Sequence, residues 1–104
     1  MRYLFLLNPT AGKRDCTAEL APAIRAAAQR AGIPPEKRKV VVTQYAGHAR
    51  ELAAEAAHTA QADGEPVRIW TAGGDGTFNE ALTGAQGCGL AAVGCLPFGS
   101  GNDF

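Results

Sequence analysis

The sequence predicts an open three-layer α/β domain, a parallel sheet with helices on both faces. Three observations carry this. Short apolar runs alternate with longer stretches of helical periodicity. The run Tyr3–Leu7 is continuously apolar rather than alternating, as a strand covered on both faces is. Polar, glycine-bearing segments follow the first, third and fourth of the expected strands.

Each element has its own signal. Tyr3–Leu7 is the first strand, broken by Asn8-Pro9. From Thr17, Leu20, Ile24, Ala27, Ala28 and Ala31 recur at helical spacing until Gly32 and Pro34-Pro35 stop the first helix. Lys39–Thr43 is short and β-branched, hence a second strand. Ala49, Leu52, Ala53, Ala56 and Ala60 line one face of a second helix, opposite Arg50, Glu51 and Glu55. Val67–Thr71 is a third strand entering the glycine-rich stretch Ala72–Thr77. Phe78–Thr83 reads as a short helix and Leu90–Leu96 as a buried strand closed by Pro97. Alanine along a helix face permits close approach to a sheet, although alanine is also simply the best helix former.

Composition narrows the class. A length of 104 residues suits one compact domain. With 46% hydrophobic and 19% charged residues, and ten basic against ten acidic, the chain has no sign bias toward nucleic acid or acidic lipid. Its apolar runs fall far short of the roughly 20 residues that span a bilayer. No basic start leads into a long apolar segment with a cleavage site, so a soluble, unexported chain is expected. Cys16, Cys88 and Cys95 form an odd set without a C-x-x-C pair, so reduced thiols in the cytoplasm are the default. The last residues, Phe98–Phe104, are a dense loop signal with nothing after them to pack or cap, which suggests a piece of a longer protein.

Ligands of open parallel α/β sheets bind beyond the carboxyl ends of the strands. There the sequence places Asn8-Pro9-Thr10-Ala11-Gly12, then Gly73-Gly74-Asp75-Gly76-Thr77, then Pro97–Phe104. Backbone without Cβ can adopt positive φ and bring amide N–H groups close to phosphate oxygens. Thr77 opens a helix, and its hydroxyl can cap that helix or reach a phosphate held at the positive helix end. A carboxylate at Asp75 is repulsive beside phosphates unless a cation or a proton in transit lies between, which points to Mg²⁺ or general-base work. A tight turn capped by Asp75 explains one such loop equally well. Three loops at successive strand ends, with Asn8, Asp75, Asn102 and Asp103 on one edge, favour a phosphate site. Two standard cradles are excluded. Gly12-Lys13 is followed by Arg14 and lacks the upstream glycine of a Walker A loop, and no segment has the spacing of the dinucleotide fingerprint after a strand.

Asn8–Gly12, Thr43 with Gly47-His48-Ala49, Gly73–Thr77 with Asn79-Glu80, and Pro97–Phe104 resemble, in order and spacing, the diacylglycerol kinase catalytic family. The resemblance covers essentially the whole chain. GGDGT alone is shared with NAD kinases and, more loosely, with phosphofructokinases and sphingosine kinases, whereas the N-P-x-x-G and G-N-D-F segments resemble the lipid-kinase branch. The resemblance implies a Rossmann-like α/β/α domain that binds ATP with Mg²⁺ and transfers the γ-phosphoryl group to a lipid alcohol such as diacylglycerol, within phospholipid biosynthesis. The nucleotide-contacting positions it implies are Asn8, Pro9, Thr10, Ala11, Gly12, Thr43, Gly73, Gly74, Asp75, Gly76, Thr77, Phe78, Asn79, Glu80 and Ser100. Ser100 stands where many relatives have threonine and keeps the hydroxyl. Asp75 and Asp103 would join an aspartate, water and Mg²⁺ network, with Asp75 the catalytic candidate in this chain. Family members continue into a β-rich domain that closes the cleft and supplies further acidic residues, including a base for the lipid hydroxyl. On that reading residues 1–104 are the N-terminal nucleotide-binding part, cytoplasmic, with peripheral contact at the inner face of the membrane, and the chain alone binds nucleotide weakly. Two other readings stay open: an NAD kinase-like small-molecule kinase with Asp75 as base toward a ribose hydroxyl, and a nucleotide-binding module without catalysis.

Several residues invite a role and have a plainer one. His48 can contact a phosphate, but a half-exposed histidine at a helix start is the simpler expectation. His58 reads as solvated surface, while Lys13 and Arg14, after the first loop, fit screening of phosphate charge and ordinary surface cations equally well. Tyr45 is a candidate to stack on adenine, and Trp70, inside an apolar strand, belongs to the core. Glu36–Lys39 reads as a solvated loop rather than a membrane patch.

Overall fold

The structure, a computed structural model, describes residues 1–8, 17–72 and 75–95, the side chains of 17–20 excepted. Four strands form one sheet in the order β2-β1-β3-β4: β1 (Arg2–Leu7), β2 (Arg38–Val42), β3 (Val67–Ala72) and β4 (Ala91–Cys95). Every pairing is parallel, with Leu7 opposite both Val42 and Ala72. Between them run α1 (Thr17–Arg30), α2 (His48–Asp63) and α3 (Asp75–Gly84). The open parallel α/β sheet expected from the alternation is therefore the fold.

The chain steps from β1 outward to β2, then back across β1 to β3 and on to β4. Crossovers of one hand put helices on opposite faces when the direction of stepping reverses. The core divides accordingly. Leu4, Leu6, Val67 and Ile69 pack with Ala49, Ala53, Ala57 and Ala60 of α2 and Ala81 of α3. Phe5, Leu7 and Ala72 face the other way, with Ile24 of α1 and the half-buried Tyr3, Val40 and Trp70. Because successive strand side chains alternate between faces, the apolar run of β1 feeds both clusters, and Leu6 and Leu7 are fully buried.

The alanines of α2 serve packing. Four of its seven, Ala49, Ala53, Ala57 and Ala60, are buried in the core against the sheet, and α3 comes equally close at Gly84. A Cβ on Gly84 would lie 2.2 Å from the Arg50 carbonyl oxygen and 3.0 Å from the Ala53 Cβ, so only glycine allows this approach. Trp70 is seated in the same manner against the neighbouring strand, where a Cβ on Gly94 would stand 2.6 Å from its ring.

Two expectations are corrected. Helix α3 begins at Asp75 rather than Phe78. Glycine is tolerated in a first turn, where the N–H groups have no intrahelical partner, and an acidic first residue suits the positive helix end. Gly76 is accordingly helical and is not among the glycines of positive φ. The Glu36–Lys39 segment is solvated, with Glu36 and Lys39 exposed, but it is regular structure rather than a loop. Pro35–Lys37 form a single 3₁₀ turn with proline at its start, and Arg38 already belongs to β2. Lys37 is fixed by Glu65 at 2.8 Å, and the Arg38 guanidinium donates to the carbonyls of Arg25 and Ile33.

Candidate functional site

The register aligns the carboxyl ends of β1, β2 and β3 on one edge, and the ladder runs one residue past the strands there. Asn8 N–H donates to the Ala72 carbonyl at 2.9 Å, and Thr43 N–H to the Leu7 carbonyl at 2.7 Å. The buried Thr43 hydroxyl donates to the same Leu7 carbonyl at 3.3 Å, which holds the exit of β2 against that of β1. Strand order changes direction between β1 and β3, the position where open α/β sheets hold their ligands.

Above this edge lies a cleft of about 590 Å³, lined by Asn8, Thr43, Gln44, Tyr45, Gly76, Thr77 and Glu80, together with Val42, Ala46 and Ala49. The size suits a small organic ligand. Its floor is the ends of β1 and β2, and its walls are the N-terminal turns of α2 and α3. The side-chain amide of Asn8 donates to the Thr77 hydroxyl at 3.1 Å, tying the end of β1 to the first turn of α3. Thr77 is buried, whereas Asp75 and Gly76 are exposed. Among the described residues, a Cβ on Gly76 would meet nothing within 4 Å, so none of them fills the space beside this turn.

Two helix N-termini meet the cleft, and they are treated differently. Gly47 sits at the N-cap of α2 with φ 90°, a conformation that glycine reaches without strain. Its N–H donates to Glu80 Oε2 of α3 at 3.2 Å, so a carboxylate already satisfies the positive end of α2. The first turn of α3 carries the open space at Gly76. Beside it, Tyr45 and His48 form a stack, with ring centroids 4.5 Å apart and planes at 18°. The Tyr45 hydroxyl donates to Glu51 at 2.7 Å, and this bond holds the phenol pKa above its ordinary value. His48 Nδ1 accepts the Gln44 N–H at 3.0 Å, so the neutral ring carries its proton on Nε2.

Of the positions implied by resemblance, Asn8, Thr43, Gly76, Thr77 and Glu80 line this one cleft, with Asp75 adjoining it at the start of α3. Glu80 clamps α2. Asn79 instead lines a groove between α3 and β4 with Leu82, Thr83 and Val93. Phe78 is half-buried. Pro9, Thr10, Ala11, Gly12, Gly73, Gly74, Ser100 and Asp103 lie outside the described residues. His48 takes the helix-start position expected of it, and His58 is exposed. Sequence reasoning missed the Glu80–Gly47 clamp and the Tyr45–His48–Glu51 arrangement. A glycine directly before a helical run, followed on the next helix by a glutamate, was the signal available for the first. No helix among the described residues is long and apolar enough to cross a membrane.

These features define an open parallel α/β domain with a cleft at the carboxyl edge, between the ends of β1 and β2 and two helix N-termini. The family model of the diacylglycerol kinase catalytic domain matches residues 2–104, and the chain belongs to that family. It is thus of a kinase-like catalytic domain family. No curated protein matches the chain.

Proposed function

We propose that this chain is the nucleotide-binding part of an ATP-dependent lipid kinase, which transfers the γ-phosphoryl group of ATP to the hydroxyl of a lipid alcohol such as diacylglycerol. One observation carries the reading. Asn8 and Thr77 join the end of β1 to the first turn of α3 over the cleft, beside the open space at Gly76. A helix N-terminus favours phosphate oxygens, because the first N–H groups of a helix have no intrahelical partner. Family membership gives that anion its most natural identity, the phosphates of a nucleotide.

Phosphoryl transfer depends on positioning the two reactants and neutralising charge. In this chain Thr43 and Asn8 hold the cleft floor, and α3 directs its positive end toward the phosphates. Asp75, exposed at that helix start, would be the carboxylate that holds Mg²⁺. Mg²⁺ is commonly bound by one or two carboxylates together with substrate phosphates, so a single protein carboxylate here fits that chemistry. Asp103 is the second candidate. Mg²⁺, when bound, neutralises phosphate charge. The acceptor oxygen bonds to phosphorus, the bond to the β-phosphate oxygen breaks, and the hydroxyl proton passes to a carboxylate of the β-rich domain that family members carry after this one.

Transfer from labelled ATP tests the proposal on the full-length protein, with diacylglycerol in mixed micelles and NAD in free solution as acceptors. Label is expected in the lipid and not in NAD. Label in NAD without lipid would replace this reading by a small-molecule kinase, and transfer to neither acceptor would overturn the lipid assignment.

A further inference from the structure

We infer that Tyr45, braced by His48, is a stacking platform for the nucleobase of the bound nucleotide, on the wall of the cleft formed by the start of α2. The inference rests on the nucleotide reading above and extends it to the base. Tyr45 is 55% exposed although most large apolar side chains here are covered, and it lines the same cleft as Gly76 and Thr77. An exposed aromatic ring normally samples several rotamers. This one is held at two points, by the parallel His48 ring at 4.5 Å and by the hydroxyl bond to Glu51 at 2.7 Å. One ring face meets His48, which leaves the other to extend the stack.

A ring fixed before binding loses little entropy when a ligand covers it, so most of the stacking contributes to affinity. The ligand that matches both walls has an anionic end for the first turn of α3 and a flat aromatic end for Tyr45. A nucleoside di- or triphosphate has both. Recognition by ring face ranks bases by their stacking area, purines above pyrimidines, and does so without reading hydrogen bonds.

The experiment is equilibrium binding of Mg·ATP, Mg·CTP and Mg·tripolyphosphate to the full-length protein and to its Tyr45→Ala and Tyr45→Phe variants, with thermal melts to establish that each is folded. Tyr45→Ala is expected to weaken ATP by about ten-fold, the size of one base–aromatic stack. CTP should lose less, and tripolyphosphate, which has no base, should bind as before. Tyr45→Phe keeps the ring and should stay within about three-fold of the parent for ATP, well short of the loss of a whole stack. Unchanged ATP affinity in Tyr45→Ala, or an equal loss for ATP and tripolyphosphate, would overturn the platform while leaving the phosphate site intact. A parent protein that binds none of the three would overturn the nucleotide reading itself.

Discussion

The two ends of this sheet are built from different chemistry. At the amino end, charges neutralise one another around Glu65, which accepts from Lys37 at 2.8 Å and the Met1 ammonium at 3.1 Å, with Arg2 at 3.2 Å and also on Asp63. The Lys37 hydrogen bond, then that from the N-terminus, pull the Glu65 carboxyl down to about 2. Among the described residues of the carboxyl end, the elements are joined through uncharged donors, Asn8 to Thr77 and Thr43 to Leu7, with the Glu80 carboxylate accepting a backbone N–H. Charge closed on itself makes a rim that holds strands in place. Neutral bonds join the described elements of the other rim, and the carboxylate exposed there, Asp75, is the one that the proposal gives to Mg²⁺. The end joined by neutral bonds is the one proposed as the nucleotide site.

Substitutions can break this comparison in graded steps. The largest effect on folding is expected from Gly84→Ala, because the added methyl meets the Arg50 carbonyl and must push α3 away from α2. Overpacking of this kind costs about 1–3 kcal/mol, and urea unfolding measures it. The same shift separates Gly47 from Glu80, so nucleotide affinity should fall with stability even though Gly84 does not line the cleft. A smaller loss is expected of Thr77→Val, which removes the acceptor of the part-buried hydrogen bond from the Asn8 amide. Its cost is about 1 kcal/mol, with Thr77→Ser restoring it. The smallest effect belongs to Glu65→Gln at the amino end. A depressed carboxyl contributes stability above its unfolded value near 4.5 and loses it as pH falls toward about 2. Melting temperatures of parent and variant should therefore differ at neutral pH and converge across that window, while nucleotide affinity stays unchanged.

The layout of the fold was legible because each strand and helix carried its own period. The continuous run Tyr3–Leu7 announced a strand buried on both faces, and the Ala49–Ala60 stripe announced the face that α2 turns to the sheet. The start of α3 was not legible. Gly73–Thr77 has the composition of a loop, yet α3 begins within it, at Asp75. Of the cleft, the positions Asn8, Thr43 and Thr77 were readable as polar residues at strand ends. The clamp from Glu80 to Gly47 was not, because it joins residues 33 apart that meet only once Gly84 lets α3 close on α2. The basic cluster before β2 was misread for a similar reason. Its partner Glu65 lies on the far side of α2, and nothing local in Glu36–Lys39 points to it.

The claim that the carboxyl edge is a nucleotide site is tested most directly by calorimetric titration of the full-length protein with Mg·ATP. Mg·ADP and NAD serve as comparators, and Asp75→Ala as the control. Saturable binding of ATP and ADP, none of NAD, and a clear loss of affinity in Asp75→Ala is the predicted result. No saturable ATP binding, or binding that Asp75→Ala leaves unchanged, would contradict it.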